Sequence, residues 1–286
     1  MEKMTASTQP IAPYPMEHAE PSVEAVLYAV ADHVATITLN RPDRMNTISP
    51  VMLRQVVERL LQAEADKDVR AVILTGAGRA FCAGLDLTEA TRKDDDGGIM
   101  SGAGAAVDLD LRNTPPTVLF NMNKPTICAL NGSAAGYGMD MALGCDVRIM
   151  AQGAKMAAAF TKRGVVPESG GTWFLPRLLG WAKAAELIFS GRTLTADACL
   201  ELGLVNTVTP DADLAGAARA LALEFASNAP LAVQAAKRMM RMGLSETFND
   251  HVHHVFLQLL PLFKTEDAAE GMKAFLEKRP AVFQGR

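Results

Sequence analysis

The chain has little of what marks metal, redox or nucleotide chemistry. Its four cysteines, Cys82, Cys128, Cys145 and Cys199, lie far apart and form no C-x-x-C pair, so neither a zinc site nor a disulfide framework is expected. No G-x-x-x-x-G-K-[ST] sequence is present to cradle phosphates. Gly76 and Gly78 begin a G-x-G, but the third glycine of a dinucleotide fingerprint falls on Phe81. Gly132-Ser133 places serine beside the glycine instead of two residues on, which is not a hydrolase elbow. A net charge of −4 over 286 residues gives no basic field for nucleic acid or anionic membranes. The proline-rich first stretch, with Pro10, Pro13, Pro15 and Pro21, has neither a signal peptide's apolar region nor a membrane span. Residues 1–22 read as a flexible extension, and a reduced, cytoplasmic protein is the simplest expectation.

Against these absences stand two glycine-rich turns. Ala71-Val72-Ile73-Leu74 leads into Gly76-Ala77-Gly78 and on to Phe81-Cys82-Ala83-Gly84-Leu85-Asp86. Thr126-Ile127-Cys128-Ala129-Leu130 leads into Asn131-Gly132 and then Gly136-Tyr137-Gly138. Glycine after a strand allows tight or positive-φ geometry that aims backbone N–H groups outward. Either turn alone reads equally well as an ordinary loop. Two together can hold one carbonyl oxygen between two amides, an oxyanion hole.

The order of elements is that of an α/β protein. Val34 to Leu39 reads as a strand, closed by Asn40-Arg41-Pro42-Asp43. Ser49-Pro50 opens a helix with Leu53, Val56, Val57, Leu60 and Leu61 on one face. A strand at 71–75 completes a βαβ crossover. Residues 88–114, with Asp94-Asp95-Asp96, read as an exposed flexible stretch. A helix at Pro115-Pro116, a strand at 126–130, a helix from Gly138 and a strand at 147–151 follow. Helical periods then run at 171–179, 181–190, 196–202, 213–227, 230–243, 245–262 and 265–278, with only a strand at 205–208 between them. The division is an N-terminal extension (1–22), an α/β core (23–212) and a helical C-terminal region (213–286).

These residues resemble the crotonase, or enoyl-CoA hydratase/isomerase, family from about Val23 to Phe283. The collinear markers include Asn40-Arg41-Pro42, Phe81-Cys82-Ala83-Gly84-Leu85-Asp86, Lys124-Pro125, Asn131-Gly132, Cys145-Asp146, Gly170-Gly171-Thr172 and Phe275-Leu276-Glu277-Lys278-Arg279. The resemblance implies a crotonase-like spiral of ββα units with a C-terminal helical trimerisation region, assembled as a homotrimer or homohexamer. It implies an acyl-CoA thioester substrate, no metal and no organic cofactor, CoA being part of the substrate. The oxyanion hole falls on the backbone N–H groups of Leu85 and Tyr137. Arg44, Ala83, Asp86, Phe160, Trp173, Phe275 and Lys278 fall at substrate or CoA contacts, the last two reaching a neighbouring subunit's ligand.

Hydratases of the family use two glutamates, whose places here hold Asp140 and Phe160. Phenylalanine moves no proton, so that pair is broken. Eight positions on, Glu168 in Pro167-Glu168-Ser169-Gly170 resembles the catalytic acid of Δ3,Δ2-enoyl-CoA isomerases. The resemblance therefore implies double-bond isomerisation with Glu168 as base and Asp140 as auxiliary. Hydration of a 2-enoyl-CoA, and thioester hydrolysis or dehalogenation with Glu168 as nucleophile, stand as alternatives. Glu168 also fits an acid complementing a helix N-terminus, Asp140 a first-turn hydrogen bonder, and Asp86 a loop brace. His251 and His254 share a helical face, but no carboxylate or cysteine makes an obvious ligand set with them, which suits a trimer-interface or surface role.

Overall fold

The computed structural model describes residues 24–86 and 114–286. The extension at 1–22 and all but the last residue of the stretch at 88–114 lie outside the described residues. The main sheet has six strands in the order β1 (Val26–Ala31), β2 (Val34–Leu39), β3 (Ala71–Gly76), β5 (Thr126–Leu130), β7 (Val147–Ala151) and β10 (Thr207–Thr209). Five of them run parallel, and β1 pairs antiparallel with β2. A parallel sheet covered on both faces calls for continuous apolar strands. All five residues of β5 are accordingly buried.

A second sheet, β4 (Ala80–Cys82), β6 (Ser133–Ala135), β8 (Lys155–Ala157) and β9 (Thr193–Thr195), stands beside the first. The strand β9 departs from the sequence reading, which placed one strand after residue 170. There are two, and the second spans 207–209 instead of 205–208. Three residues are too few to show a period of two, and both strands exist through pairing with β8 and β7.

Ser49 caps α1 (Pro50–Ala65), its Oγ accepting from Met52 N–H at 3.2 Å, with Pro50 in the first turn. The buried face of α1 is Met52, Val56, Leu60 and Ala63, while Leu61 is exposed. The apolar stripe is thus rotated from the expected one, with Leu53 and Val57 only partly buried, because packing on the sheet and on the helix Pro115–Asn121 sets which side turns inward. The remaining helices are α2 (Pro115–Asn121), α3 (Tyr137–Gly144), α4 (Gly171–Leu179), α5 (Trp181–Ser190), α6 (Ala196–Leu202), α7 (Leu214–Ala226), α8 (Pro230–Met242), α9 (Phe248–Leu262) and α10 (Glu266–Glu277). The helix expected from 245 begins at 248, where the Thr247 side chain accepts from Asp250 N–H.

The helix α7 packs on β3, β5 and β7. The helix α8 is pinned by Lys237, whose Nζ donates to Asp146 Oδ2 at 2.7 Å and Lys124 O at 2.9 Å. Arg241 donates to the carbonyls of Phe120 and Met122. No described helix is long and apolar enough to cross a membrane.

Candidate active site

The two glycine turns are laced together by side chains. Gly76 N–H donates to Asn131 Oδ1 at 3.0 Å, and Asn131 Nδ2 donates to Gly78 O at 2.9 Å. Asn46, fully buried with φ +53°, donates to Ala77 O and Ala80 O and accepts from Arg41 N–H. Asparagine tolerates that left-handed backbone and satisfies three main-chain groups at once. Sequence reading passed it over; its signal was an Asn in the turn that closes the first strand.

Strands β4 and β6 then run side by side, pairing Ala80 with Ser133 and Cys82 with Ala134. A Cβ on Gly138 would lie 2.7 Å from Cys82 Cβ and closer still to the Cys82 carbonyl, so only glycine lets α3 start there. Gly84 has φ +104°, and a Cβ on it would lie 3.0 Å from Ala135 O and 3.9 Å from Tyr137 N. A side chain at Gly84 would therefore be strained and would crowd the head of α3.

These contacts bring Leu85 and Tyr137 onto one cavity of about 90 Å³. Ile48 N–H donates to Gly84 O at 2.9 Å, and Ile48 O accepts from Asp86 N–H at 3.0 Å. That parallel bridge turns the Leu85 N–H away from Ile48. Tyr137 opens α3, and the first N–H groups of a helix have no acceptor within it. Among the described residues, no backbone carbonyl accepts from either N–H. The helix end adds partial positive charge at the same spot.

Ala83, Phe160, Arg163 and Glu168 also line this cavity. Glu168 is the only carboxylate among its described lining residues. It keeps solvent contact at the rim, yet desolvation by the walls pushes its pKa above the usual carboxylate range.

Asp140 lies beneath, fully buried and off the cavity lining. Its Oδ2 accepts from Ser169 Oγ at 2.7 Å and from Gly171 N–H at 3.1 Å, gripping the turn that follows Glu168. Its Oδ1 is buried with no hydrogen-bond partner among the described residues. Burial pushes its pKa up to about 7, the two hydrogen bonds oppose the rise, and the nearby charge of Glu168 adds to it. The free Oδ1 is where a proton would sit.

The other expected contact residues are dispersed. Asp86, also buried, takes an ion pair from Arg41 at 3.1 Å, a longer one from Arg44 at 3.7 Å and a hydrogen bond from Thr47, and so braces the first turn. Trp173 packs edge-on against Phe120 and Phe174, with the Arg177 guanidinium 4.0 Å from its ring centre, and does not line the cavity. Phe275 is 83% exposed on α10 and Lys278 ends that helix with φ +55°, both off the cavity of their own chain. The Nδ1 atoms of His251 and His254 lie 3.1 and 2.9 Å from the two oxygens of Glu246, and no third ligating side chain of the described residues joins them. The chain folds back between α8 and α9 to bring Glu246 there, which helical spacing alone does not reveal.

A wider open cleft of about 380 Å³ lies between α10 and the chain end. Its acids are engaged in tying down that end, Asp267 by Gln284 and Gly285 N–H and Glu270 by Arg279. It holds no paired amides, so the smaller cavity is the candidate site.

Residues 30–286 match the family described as enoyl-CoA hydratase/isomerase. The chain is 38% identical to a putative enoyl-CoA hydratase/isomerase of Bacillus subtilis over 92% of its length and 99% of that protein's. It is also 38% identical to the 1,2-epoxyphenylacetyl-CoA isomerase of Escherichia coli, over 92% of this chain and 100% of that one. The crystal structure of an enoyl-CoA hydratase from Bacillus anthracis superimposes with a TM-score of 0.83 at 33% identity, covering 92% of this chain and all of that one. The sheet order, the laced glycine turns and these likenesses agree: the chain is an enzyme of the enoyl-CoA hydratase/isomerase, or crotonase, family, which acts on acyl-CoA thioesters.

Proposed function

We propose that this enzyme moves a double bond in an enoyl-CoA thioester, with Glu168 as its single base. The observation that carries this reading is the Glu168 carboxylate, alone of its kind among the described residues of the cavity that Leu85 and Tyr137 also line. The thioester oxygen sits between those two N–H groups, which stabilise the negative charge as it develops. Glu168 takes a proton from C2 of a 3-enoyl-CoA, giving a dienolate, and returns it at C4, leaving the double bond at C2–C3. One base serves both transfers, so the phenyl ring of Phe160 where hydratases hold an acid is no obstacle. The raised Glu168 pKa strengthens it as a proton acceptor. Asp140 orients Glu168 through Ser169 and Gly171. No resident cofactor is required, because the thioester itself acidifies the C2 proton.

Hydration of a 2-enoyl-CoA is the second reading, favoured by the Asp140 carboxyl that titrates near 7 beside Glu168. Substitution separates the two. Glu168→Gln should lower kcat on a 3-enoyl-CoA by ~10²–10⁴-fold in a protein that still folds. Asp140→Asn should cost less than that in isomerisation, whereas comparable losses of hydratase turnover in both variants would favour hydration. Near-normal turnover by the Glu168 variant overturns the assignment. The same reading gives the enzyme a trimeric or hexameric assembly through its helical C-terminal region, with Phe275 and Lys278 of one subunit near the CoA of the next.

A further inference from the structure

The cavity holds one charged group that the proton transfer does not use. Arg163 lines it together with Glu168, Phe160, Ala159 and Val165. It is the only cation among the described lining residues. Its backbone is held firmly, ending the 3-10 turn Thr161–Arg163, where Arg163 N–H donates to Phe160 O at 2.8 Å. Gly164 and Val165 N–H groups close the same turn onto Thr161 O and Phe160 O. The guanidinium spends one donor, from Nη1, on Ala159 O at 2.8 Å. An arginine has five N–H donors, so most of the fork is left for another acceptor.

No carboxylate of the described residues pairs with Arg163. Glu168, though on the same cavity, is more than a salt-bridge distance away, and its raised pKa shows no pull from that cation. The rest of the wall beside Arg163, namely Ala159, Phe160 and Val165, is apolar. Arg163 is solvent-exposed at the mouth of the cavity, so its guanidinium stands open to whatever enters along Ala159, Phe160 and Val165. The group it can grip there is an anionic end presented past an apolar stem.

We propose that Arg163 is a specificity-determining residue that selects acyl-CoA thioesters bearing a second carboxylate at the far end of the acyl chain. The inference rests on the acyl-CoA reading above and narrows its substrate class. The apolar wall takes the methylene stem, and the guanidinium takes the distal carboxylate through two parallel N–H···O bonds.

Binding, not turnover, tests it, so that it can fail separately from the isomerase reading. Full-length protein is titrated calorimetrically with saturated acyl-CoA thioesters of matched chain lengths, one series ending in methyl and one in carboxylate. The carboxylate series should contain a length bound roughly 10- to 100-fold more tightly than its methyl-ended counterpart, the range of a charge-assisted hydrogen-bonded pair. In Arg163→Gln that ratio should fall below about threefold, and Arg163→Lys, which keeps charge without the fork, should fall between. Equal or tighter binding of the methyl-ended series by the native protein overturns the proposal. So does a ratio unchanged in Arg163→Gln. Failure of both series to bind at all overturns this inference and the acyl-CoA reading beneath it.

Discussion

Strand β5 and helix α9 are both apolar, yet all five residues of β5 are buried and none of the fifteen in α9 is. Phe81, at the end of the first glycine turn, is wholly enclosed, whereas Phe256 on α9 is 56% exposed and Phe248 is 80% exposed. Val252, Val255, Leu259 and Leu260 are exposed with them. The difference separates a part of the protein that one chain completes from a part that it leaves open. A contiguous apolar face of this kind marks an interaction surface. The candidate cavity belongs to the completed part, and helix α9 of the C-terminal region to the open one.

That contrast can be broken by substitution, most strongly in the core. Phe81→Ala should destabilise the fold by about 3–5 kcal/mol, because neighbouring atoms cannot close over the lost ring. Denaturant unfolding measures it, and a loss below about 1 kcal/mol would mean that the turn is looser than its burial indicates.

The next effect concerns the carboxyl beneath the cavity, and it carries a sign. A raised folded-state pKa means that the native protein holds a proton the unfolded chain has released, so stability falls as pH rises from the ordinary aspartate value, near 4, to about 7. Above 7 the native protein must bury the Asp140 anion. Asp140→Asn, which can still accept from Ser169 and Gly171, should therefore be more stable than the native protein at pH 8, by about 2–4 kcal/mol. The advantage should vanish near pH 4, and a stability difference independent of pH would contradict the buried-proton account.

The smallest effect on folding, with the largest on assembly, is expected at α9. Phe256→Asp should change the intrinsic stability of one chain by no more than about 0.5 kcal/mol, as exposed positions do. Light scattering should nevertheless move from a trimer or hexamer to a monomer. A native protein already monomeric at micromolar concentration would remove the assembly from the reading and leave the open face to some other partner.

Much of the architecture was legible along the chain. The strands at 34–39, 126–130 and 147–151 and the helices at 171–179, 181–190 and 196–202 stand where the apolar periods, caps and glycines put them. The misses share a cause. Strand β1 shows almost no buried alternation, because as the edge strand it touches the core at little more than Val26. Strand β9 has three residues and owes its form to β8. The buried face of α1 is rotated because the sheet and α2, not the leucines alone, choose which side turns inward.

At the candidate site the same division holds. The glycines at 84, 136 and 138 and the carboxylates at 140 and 168 were visible as residues, since glycine after a strand is a local signal. Their levels were not: Asp140 is sealed beneath the wall, while Glu168 reaches the cavity. Arg163 gave no signal at all, being one cation beside Lys162 in a polar turn. Asp86 became a brace only when Arg41 and Thr47 closed around it.

The longer parallel strands, most of the helices, the two turns and the family they belong to were legible in the linear chain, because hydrophobic period and backbone permissiveness act over a few residues. The edge strand β1 and the short strands β4, β6, β8 and β9 were not. Which acid and which cation line the cavity and which apolar face remains open were decided only by the fold. Those properties depend on residues as far apart as Asn46 and Ala80, or Asp140 and Gly171, whose meeting no local pattern encodes.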